Sequence, residues 1–327
     1  MKKKRKNSKK NSLKYIVYIL LLAIFSLSFF IAGVYIGENT NKKSLQKTQN
    51  VISMLEKKIK NLSNQLNQNN KNLYNLPSEI EDYETAHKHY KKTKPPVPVT
   101  VKLKTKKPKL VIILDDVSFG YQVKAIKHLP FEATPSFFPP TKIHPNTPVY
   151  AKEFKDYMVH VPMQALAFAH PEPDTINTNW SYSQIKQRID EIKKWFPKAE
   201  FINNHTGSKF TADTTEMEKL FKVLKEDNLG FVDSRTTPYS KARDAEKIYH
   251  IPFFERNIFL DNKPDINYIQ NQLKKAVKIA RKRGYAIAIG HPHKTTIEAL
   301  NESQNILKNV DVITINQLYE LKTKNEK

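Results

Sequence analysis

From Leu110 onward the chain repeats one pattern: a short apolar run, a polar stretch, then a segment of helical period. The apolar runs are Leu110–Leu114, Ala133–Phe138, Tyr157–Val161, Glu200–Asn203, Leu229–Asp233, Ile258–Leu260, Tyr285–Gly290 and Val310–Ile315. Runs of this length, apolar at consecutive positions, suit strands buried on both faces. Helical periodicity covers Ser181–Trp195, Thr214–Asp227, Ile266–Arg283 and Thr295–Leu307. Buried strands alternating with amphipathic helices predict parallel strands joined by crossover helices. Seven or eight such units over about 210 residues predict a (β/α) barrel, closed or incomplete, with its chemistry at the C-terminal strand ends.

The preceding third reads differently. Residues 1–14 form a basic tail, with seven Lys/Arg and no acid in 2–10. Residues 15–36, YIVYILLLAIFSLSFFIAGVYI, carry no charge over 22 positions. As a helix they extend about 33 Å, enough to cross a bilayer core. The basic flank predicts a single-pass anchor in a bacterial inner membrane, with a cytoplasmic N-terminus and the rest extracytoplasmic. The rival is a cleaved signal peptide, whose apolar region is shorter and ends in a small-residue cleavage site. Over residues 41–75, Leu45, Ile52, Ile59, Leu66 and Leu73 recur every seven positions, with Leu55 and Leu62 between them. Thr48 and Asn69 interrupt the seam. The spacing predicts a short coiled-coil stalk and a homo-oligomer, with a single amphipathic spacer helix as the rival. Residues 76–108 form a Lys/Pro-rich linker in which Pro95, Pro96 and Pro98 favour extended polyproline geometry. The folded domain is expected over 109–321.

Charge changes one part of this picture. The net charge of +23 suggests an anionic partner. However, residues 1–108 hold 23 Lys/Arg against 6 Asp/Glu, while 109–327 hold 32 against 26. The excess belongs to the appendage, so nucleic acid is not an expected partner. With no cysteine, disulfides, thiolate nucleophiles and Cys-ligated zinc are excluded.

The strand ends carry the candidate chemistry. The first ends in Asp115-Asp116, and the third contains His160. The fourth leads into Asn203-Asn204-His205, the fifth ends in Asp233-Ser234-Arg235, and the seventh is followed by His291-Pro292-His293. Two adjacent carboxylates repel unless a cation intervenes. One useful division sends one to a metal and leaves the other to take a proton from water. Histidines from other strands then complete a site with open positions, and zinc suits such His/Asp donors. That set suits hydrolysis of an amide or ester.

In this order, ILDDVSFG, HVPMQ, NNHTGS, FVDSRTT, IPFFERNIFLDN and AIAIGHPHKTTIEAL closely resemble the divergent polysaccharide deacetylase family of the carbohydrate esterase superfamily. The resemblance implies a distorted (β/α)7-type barrel and metal-dependent removal of acetyl groups. It casts Asp115 as general base, Asp116 and His160 as metal ligands, and His291 as the acid that protonates the leaving group. The superfamily's H-x-x-x-H motif has its second His replaced by Gln164, and His205 is the candidate substitute. Asp233 and Arg235 are expected to orient His291 or bind substrate, or else to form a structural ion pair. His293 and Asn204 are expected in supporting or substrate-facing positions. Asp261 is read as a cap or rim support without chemistry, and His87, His89, His128, His144, His170 and His250 as surface or packing residues. Two functions compete: an anchored hydrolase removing acetyl groups from an envelope polysaccharide or peptidoglycan-type glycan, and a non-catalytic glycan-binding or scaffold protein.

Overall fold

The computed structural model describes residues 17–28, 50–58, 60–61 and 106–325. The chain divides into two units, Met1–Leu76 and Pro77–Lys327. In the first, residues 17–28 and 50–58 are helical. Among the described residues no helix is long and apolar enough to cross a membrane. Much of the expected anchor and stalk, and nearly all of the linker, lies outside the described residues.

The second unit is built on parallel strands: β1 (Lys109–Val117), β2 (Thr134–Phe137), β3 (Met158–Met163), β4 (Phe201–Thr206), β5 (Gly230–Asp233), β6 (Phe253–Glu255), β7 (Ile258–Phe259), β8 (Tyr285–Gly290) and β9 (Asp311–Val312). They pair in the order β6-β5-β4-β3-β2-β1-β8-β7. The two ends of this path are neighbours in sequence. Arg256 N–H still donates to the Asp233 carbonyl at 3.0 Å, whereas Asn257 N–H already donates to the Ile287 carbonyl at 2.8 Å. The stretch from Phe253 to Phe259 thus serves as one stave that changes partner midway. The result is a curled parallel sheet consistent with a distorted (β/α)7-type barrel. The eighth expected strand, Val310–Ile315, is not a stave. Only Asp311–Val312 pairs, alongside Lys109 and Leu110 at the start of β1.

Strand periodicity separates two apolar layers. Val111, Ile113, Met158, Phe201, Val232, Phe254, Phe259, Ile287 and Ile289 form one cluster, inside the barrel. Ile315 and Leu318 of the Ile315–Asn325 helix join it and plug the floor. Leu110, Ile112, Leu114, Val159, Ile202 and Ala288 face outward and join the helical residues Ile185, Ile189, Leu220, Leu224, Leu273 and Ala276. With both faces covered, the strands read as continuous apolar runs.

The helices start where side chains satisfy their first N–H groups. Ser181 and Gln184 form a capping box before the Tyr182–Trp195 helix, and Asp213 and Asp265 cap Thr214–Glu226 and Ile266–Arg283. The expected Thr295–Leu307 helix is split into Lys294–Asn301 and Gln304–Leu307. Gly230 is required by packing: a Cβ there would lie 2.3 Å from Phe201 Cε1 and 2.9 Å from the Pro252 carbonyl oxygen. Phe201 is wholly buried, which contributes about 1.5–3 kcal/mol for a large apolar side chain.

Candidate metal centre and catalytic cleft

Above the apolar interior the strand pattern turns polar. Val111, Ile113 and Asp115 share a face by alternation, as do Phe201, Asn203 and His205, and Ile287, Ile289 and His291. Simple alternation would turn Asp116 away from this face. The pairing with β2 instead slips between Leu114 and Val117: Leu114 faces Pro135 and Val117 faces Phe137. This is a β-bulge, with Asp116 in the left-handed region at φ 59°. The bulge re-aims Asp116, so two consecutive carboxylates both reach the site, at a local conformational cost.

Asn203 organises the layer. Its Nδ2 donates to both carboxylate oxygens of Asp115 at 2.9 Å and to Ser234 Oγ at 3.0 Å. A carboxylate only accepts, so this fixes the amide orientation and turns Asn203 Oδ1 toward Ser136 Oγ at 2.7 Å and His160 Nδ1 at 3.0 Å. His160 Nδ1 therefore carries a proton, and the lone pair of the neutral ring is on Nε2. That nitrogen lies 3.3 Å from Asp116 Oδ1 and 3.2 Å from His205 Nδ1. His205 Nδ1 is in turn 3.3 Å from Asp116 Oδ1.

Three ligand-type atoms thus form a nearly equilateral triangle. Asp116 Oδ1 is buried and has no hydrogen-bond partner of good geometry. With both rings neutral, at most the proton on His205 Nδ1 faces the other two atoms. Adjacent donors of a tetrahedral ion bound at about 2.0–2.1 Å lie about 3.3 Å apart, so the residues fit a divalent metal. Burial by itself raises the Asp116 carboxyl, but electrostatic attraction to His205 and His291, together with the close contacts to His160 and His205, more than offsets it and holds it well below the usual carboxylate range. Phe138 packs on His205 at 4.8 Å and on His160 at 5.4 Å between ring centroids, fixing both imidazoles.

His291 stands on the other side of Asp116, its Nε2 at 3.8 Å from Asp116 Oδ2. Its orienting carboxylate is Asp261. Asp261 Oδ1 lies 3.2 Å from His291 Nδ1, while Oδ2 accepts from the His291 N–H at 2.7 Å and from Thr296 Oγ1 at 2.8 Å. Gly290 leaves room for this approach, since a Cβ there would sit 3.3 Å from Asp261 Oδ2. Burial raises the Asp261 carboxyl, and His291 outweighs it, so its pKa falls below the ordinary value. A carboxylate on Nδ1 favours the tautomer with the proton there and raises the basicity of Nε2, which faces the cleft.

The arrangement brings Asp115, Asp116, His160, His205 and His291 together. Gln164 does not enter the site: its Oε1 accepts from the Thr178 N–H and Oγ1 at 2.9 and 2.8 Å. Asp233 and Arg235 bond to each other, and Arg235 bonds also to Glu255. Asp233 accepts from the Arg235 N–H at 2.8 Å, and the Arg235 guanidinium reaches Glu255 at 3.4 Å. Burial, with Glu255 nearby, pushes the Asp233 carboxyl up despite Arg235 and the hydrogen bonds from Ser240 and the Arg235 N–H. Asn204 pins the rim, accepting from the Ser234 N–H at 2.9 Å and donating to the Thr206 carbonyl at 2.6 Å. His293 lies 5.4 Å from His291 between ring centroids and is the N-cap residue of the Lys294–Asn301 helix. Burial and His291 lower its pKa. Sequence reasoning gave Asn203 no role and Asp261 only that of a cap or rim support without chemistry.

A family model described as divergent polysaccharide deacetylase matches residues 112–319. An uncharacterized protein of Haemophilus influenzae Rd is 34% identical over 216 residues, covering 64% of this chain and 76% of its own. The uncharacterized Escherichia coli K12 protein YibQ is 32% identical over 202 residues, covering 59% of this chain and 61% of its own. The crystal structure of an uncharacterized Agrobacterium tumefaciens C58 protein superposes with a TM-score of 0.59 at 17% identity, covering 72% of this chain and 94% of that one. This last likeness speaks for the fold alone. The family match spans more than half of the chain and includes every residue of the cleft described above. The chain therefore belongs to the divergent polysaccharide deacetylase family.

Proposed function

We propose that this protein is a metal-dependent hydrolase that removes acetyl groups from an envelope polysaccharide of the peptidoglycan type. The observation that supports it most is the triangle of Asp116 Oδ1, His160 Nε2 and His205 Nδ1, with edges of 3.2–3.3 Å, beside the Asp261–His291 pair. Asp116, His160 and His205 would hold the ion. A divalent metal there, zinc being suited to these donors, acidifies water and polarises a carbonyl. In this reading Asp115 receives a proton from the attacking water. Asn203 keeps Asp115 and His160 in register through one carboxamide. His291 delivers a proton from Nε2 to the leaving nitrogen or oxygen, and Asp261 holds the ring for that transfer. The uncharged run at 15–36 supports anchoring in the inner membrane with the barrel on its outer side.

One observation favours a second reading, a glycan-binding barrel without turnover. Asp115 is wholly buried and both its oxygens accept from Asn203, which a working base must exchange for water. Metal analysis of the purified chain, with acetate release from acetylated chito-oligomers, separates the two. Hydrolysis requires one metal per chain, lost in Asp116→Ala and His205→Ala, and acetate release that disappears with it. Metal-free wild-type protein, or loaded protein that releases no acetate, would sink it.

A further inference from the structure

His291-Pro292-His293 contributes one imidazole to the proposed chemistry and leaves the other idle. His293 has extended backbone, with φ −70° and ψ 150°, and Pro292 restrains the chain between the two histidines. Alternation along an extended segment turns both rings to one side. Their centroids lie 5.4 Å apart. Asp261, two residues beyond β7, completes the group. One ligand-type atom from each of Asp261, His291 and His293 lies within 4.8 Å of the other two, and the trio shares no residue with the Asp116 triangle. The edge from Asp261 Oδ1 to His291 Nδ1 is 3.2 Å. That is close to the spacing of about 3.3 Å between adjacent donors of a tetrahedral ion.

The two nitrogens of His291 face different partners. Nε2 is 3.8 Å from Asp116 Oδ2, and Nδ1 is the nitrogen beside Asp261. A proton donor must give up the Nε2 proton and regain it. His291 does so by passing between imidazolium and neutral imidazole, with Nδ1–H kept on Asp261. A cation on Nδ1 occupies that lone pair and leaves the single ring proton on Nε2. Releasing it would then create an imidazolate, so the proton stays. Resting on the hydrolase reading of His291, we propose that Asp261, His291 and His293 form a second divalent-cation site, weaker than the Asp116 triangle, and that filling it silences His291. The site is weaker because the ion displaces the Asp261–His291 hydrogen bond, draws in the His293 ring and lies near a like charge. It fills only at free zinc well above that needed by the triangle, so the purified chain carries the first ion alone.

The test titrates zinc into the full-length chain, in detergent and stripped of metal, and follows bound zinc and acetate release from acetylated chito-oligomers. The wild type should take up a first ion as the rate rises. At higher free zinc it should take up a further ion as the rate falls about 100-fold. His293→Asn removes the imidazole and keeps a favoured helix N-cap. It should bind one ion fewer than the wild type and show no fall over the same zinc range. Equal zinc uptake by the two proteins, loss of the first ion as well in His293→Asn, or a further ion that leaves the rate unchanged would each overturn the site. Nitrogen NMR of the His291 ring reports without turnover: the further ion should move the ring proton from Nδ1 to Nε2. A wild type that shows this shift but releases no acetate at any zinc level keeps the site and loses the hydrolase reading. One that shows neither loses both.

Discussion

The floor and the mouth of this barrel are made from the same strands and differ in what they optimise. At the floor, Val111, Met158, Phe201, Ile287, Ile315 and Leu318 are fully buried, and the ionic contact is a surface one, Asp311 with Lys107 and Lys109 at 2.8 and 2.7 Å. At the mouth, Asp115, Asn203 and His160 are just as buried and polar, and Asp116, Thr206 and Arg235 adopt positive φ. The floor supplies stability with ordinary backbone and apolar contacts. The mouth gathers lone pairs and unusual backbone into one small volume, which is destabilising unless a cation or substrate uses it. Stability and function should therefore respond to different substitutions.

The largest separation is expected at Asp116. Replacing it with Ala should abolish metal binding and lower acetate release by about 10³-fold or more, with no fall in the thermal midpoint of the metal-free protein. Asp116→Gly should lose the metal equally and raise that midpoint, because glycine relieves the positive φ. A metal-free protein that melts well below the wild type in both variants would erase the contrast. Asp261→Asn comes next: about 100-fold lower turnover with metal retained, read by pairing elemental analysis with acetate release. Loss of the metal in this variant would move Asp261 from a positioning role into the ligand set.

At the floor the signs reverse. Leu318→Ala should cost about 2–4 kcal/mol in urea unfolding while metal content and turnover stay at wild-type levels. Gly230→Ala should cost about 1–3 kcal/mol, since Phe201 must yield to the new methyl group. Reduced metal binding in either variant would mean that the two layers are coupled. The smallest effect belongs to Asp311, whose carboxyl is lowered by its contacts with Lys107 and Lys109. A folded-state value below the unfolded one, about 3.9, stabilises above that pH and ceases to do so as pH falls through the folded value. Asp311→Asn should therefore cost little at neutral pH, and wild type and variant should converge in acid unfolding curves. A difference that grows toward low pH would contradict the assignment.

How far these layers can be read from sequence depends on the kind of signal each leaves. The apolar runs are periodic and local, so the strands, the parallel topology and the Ile266–Arg283 helix were legible. Asp115, Asp116, His160, His205 and His291 were legible because strand ends converge in any barrel of this type. Asn203 was available by alternation with Phe201 and His205, but its partners Asp115 and His160 come from other strands, so nothing local in the sequence marks its contacts. Asp261 sits 30 residues before His291, and only the pairing of β7 with β8 brings them together. Its signal was a lone acid directly after the apolar Ile258–Leu260 run, which also fits a cap. The bulge at Asp116 has no periodic signature, because it is a break in one. The change of partner at Arg256 and Asn257 was hidden for the same reason, and the weak pairing of β9 mimicked a stave.

The floor plug has a practical corollary for anyone handling the molecule. β1 begins at the floor, and the Ile315–Asn325 helix is seated there too, so the domain's incoming and outgoing strands of polypeptide share one pole. Within the domain, Lys109 and Ile315 therefore both lie at the pole opposite the cleft. A chain entering at Lys109 meets the domain at its floor and leaves the strand ends that carry the cleft at the other pole, where a large polymer can reach them.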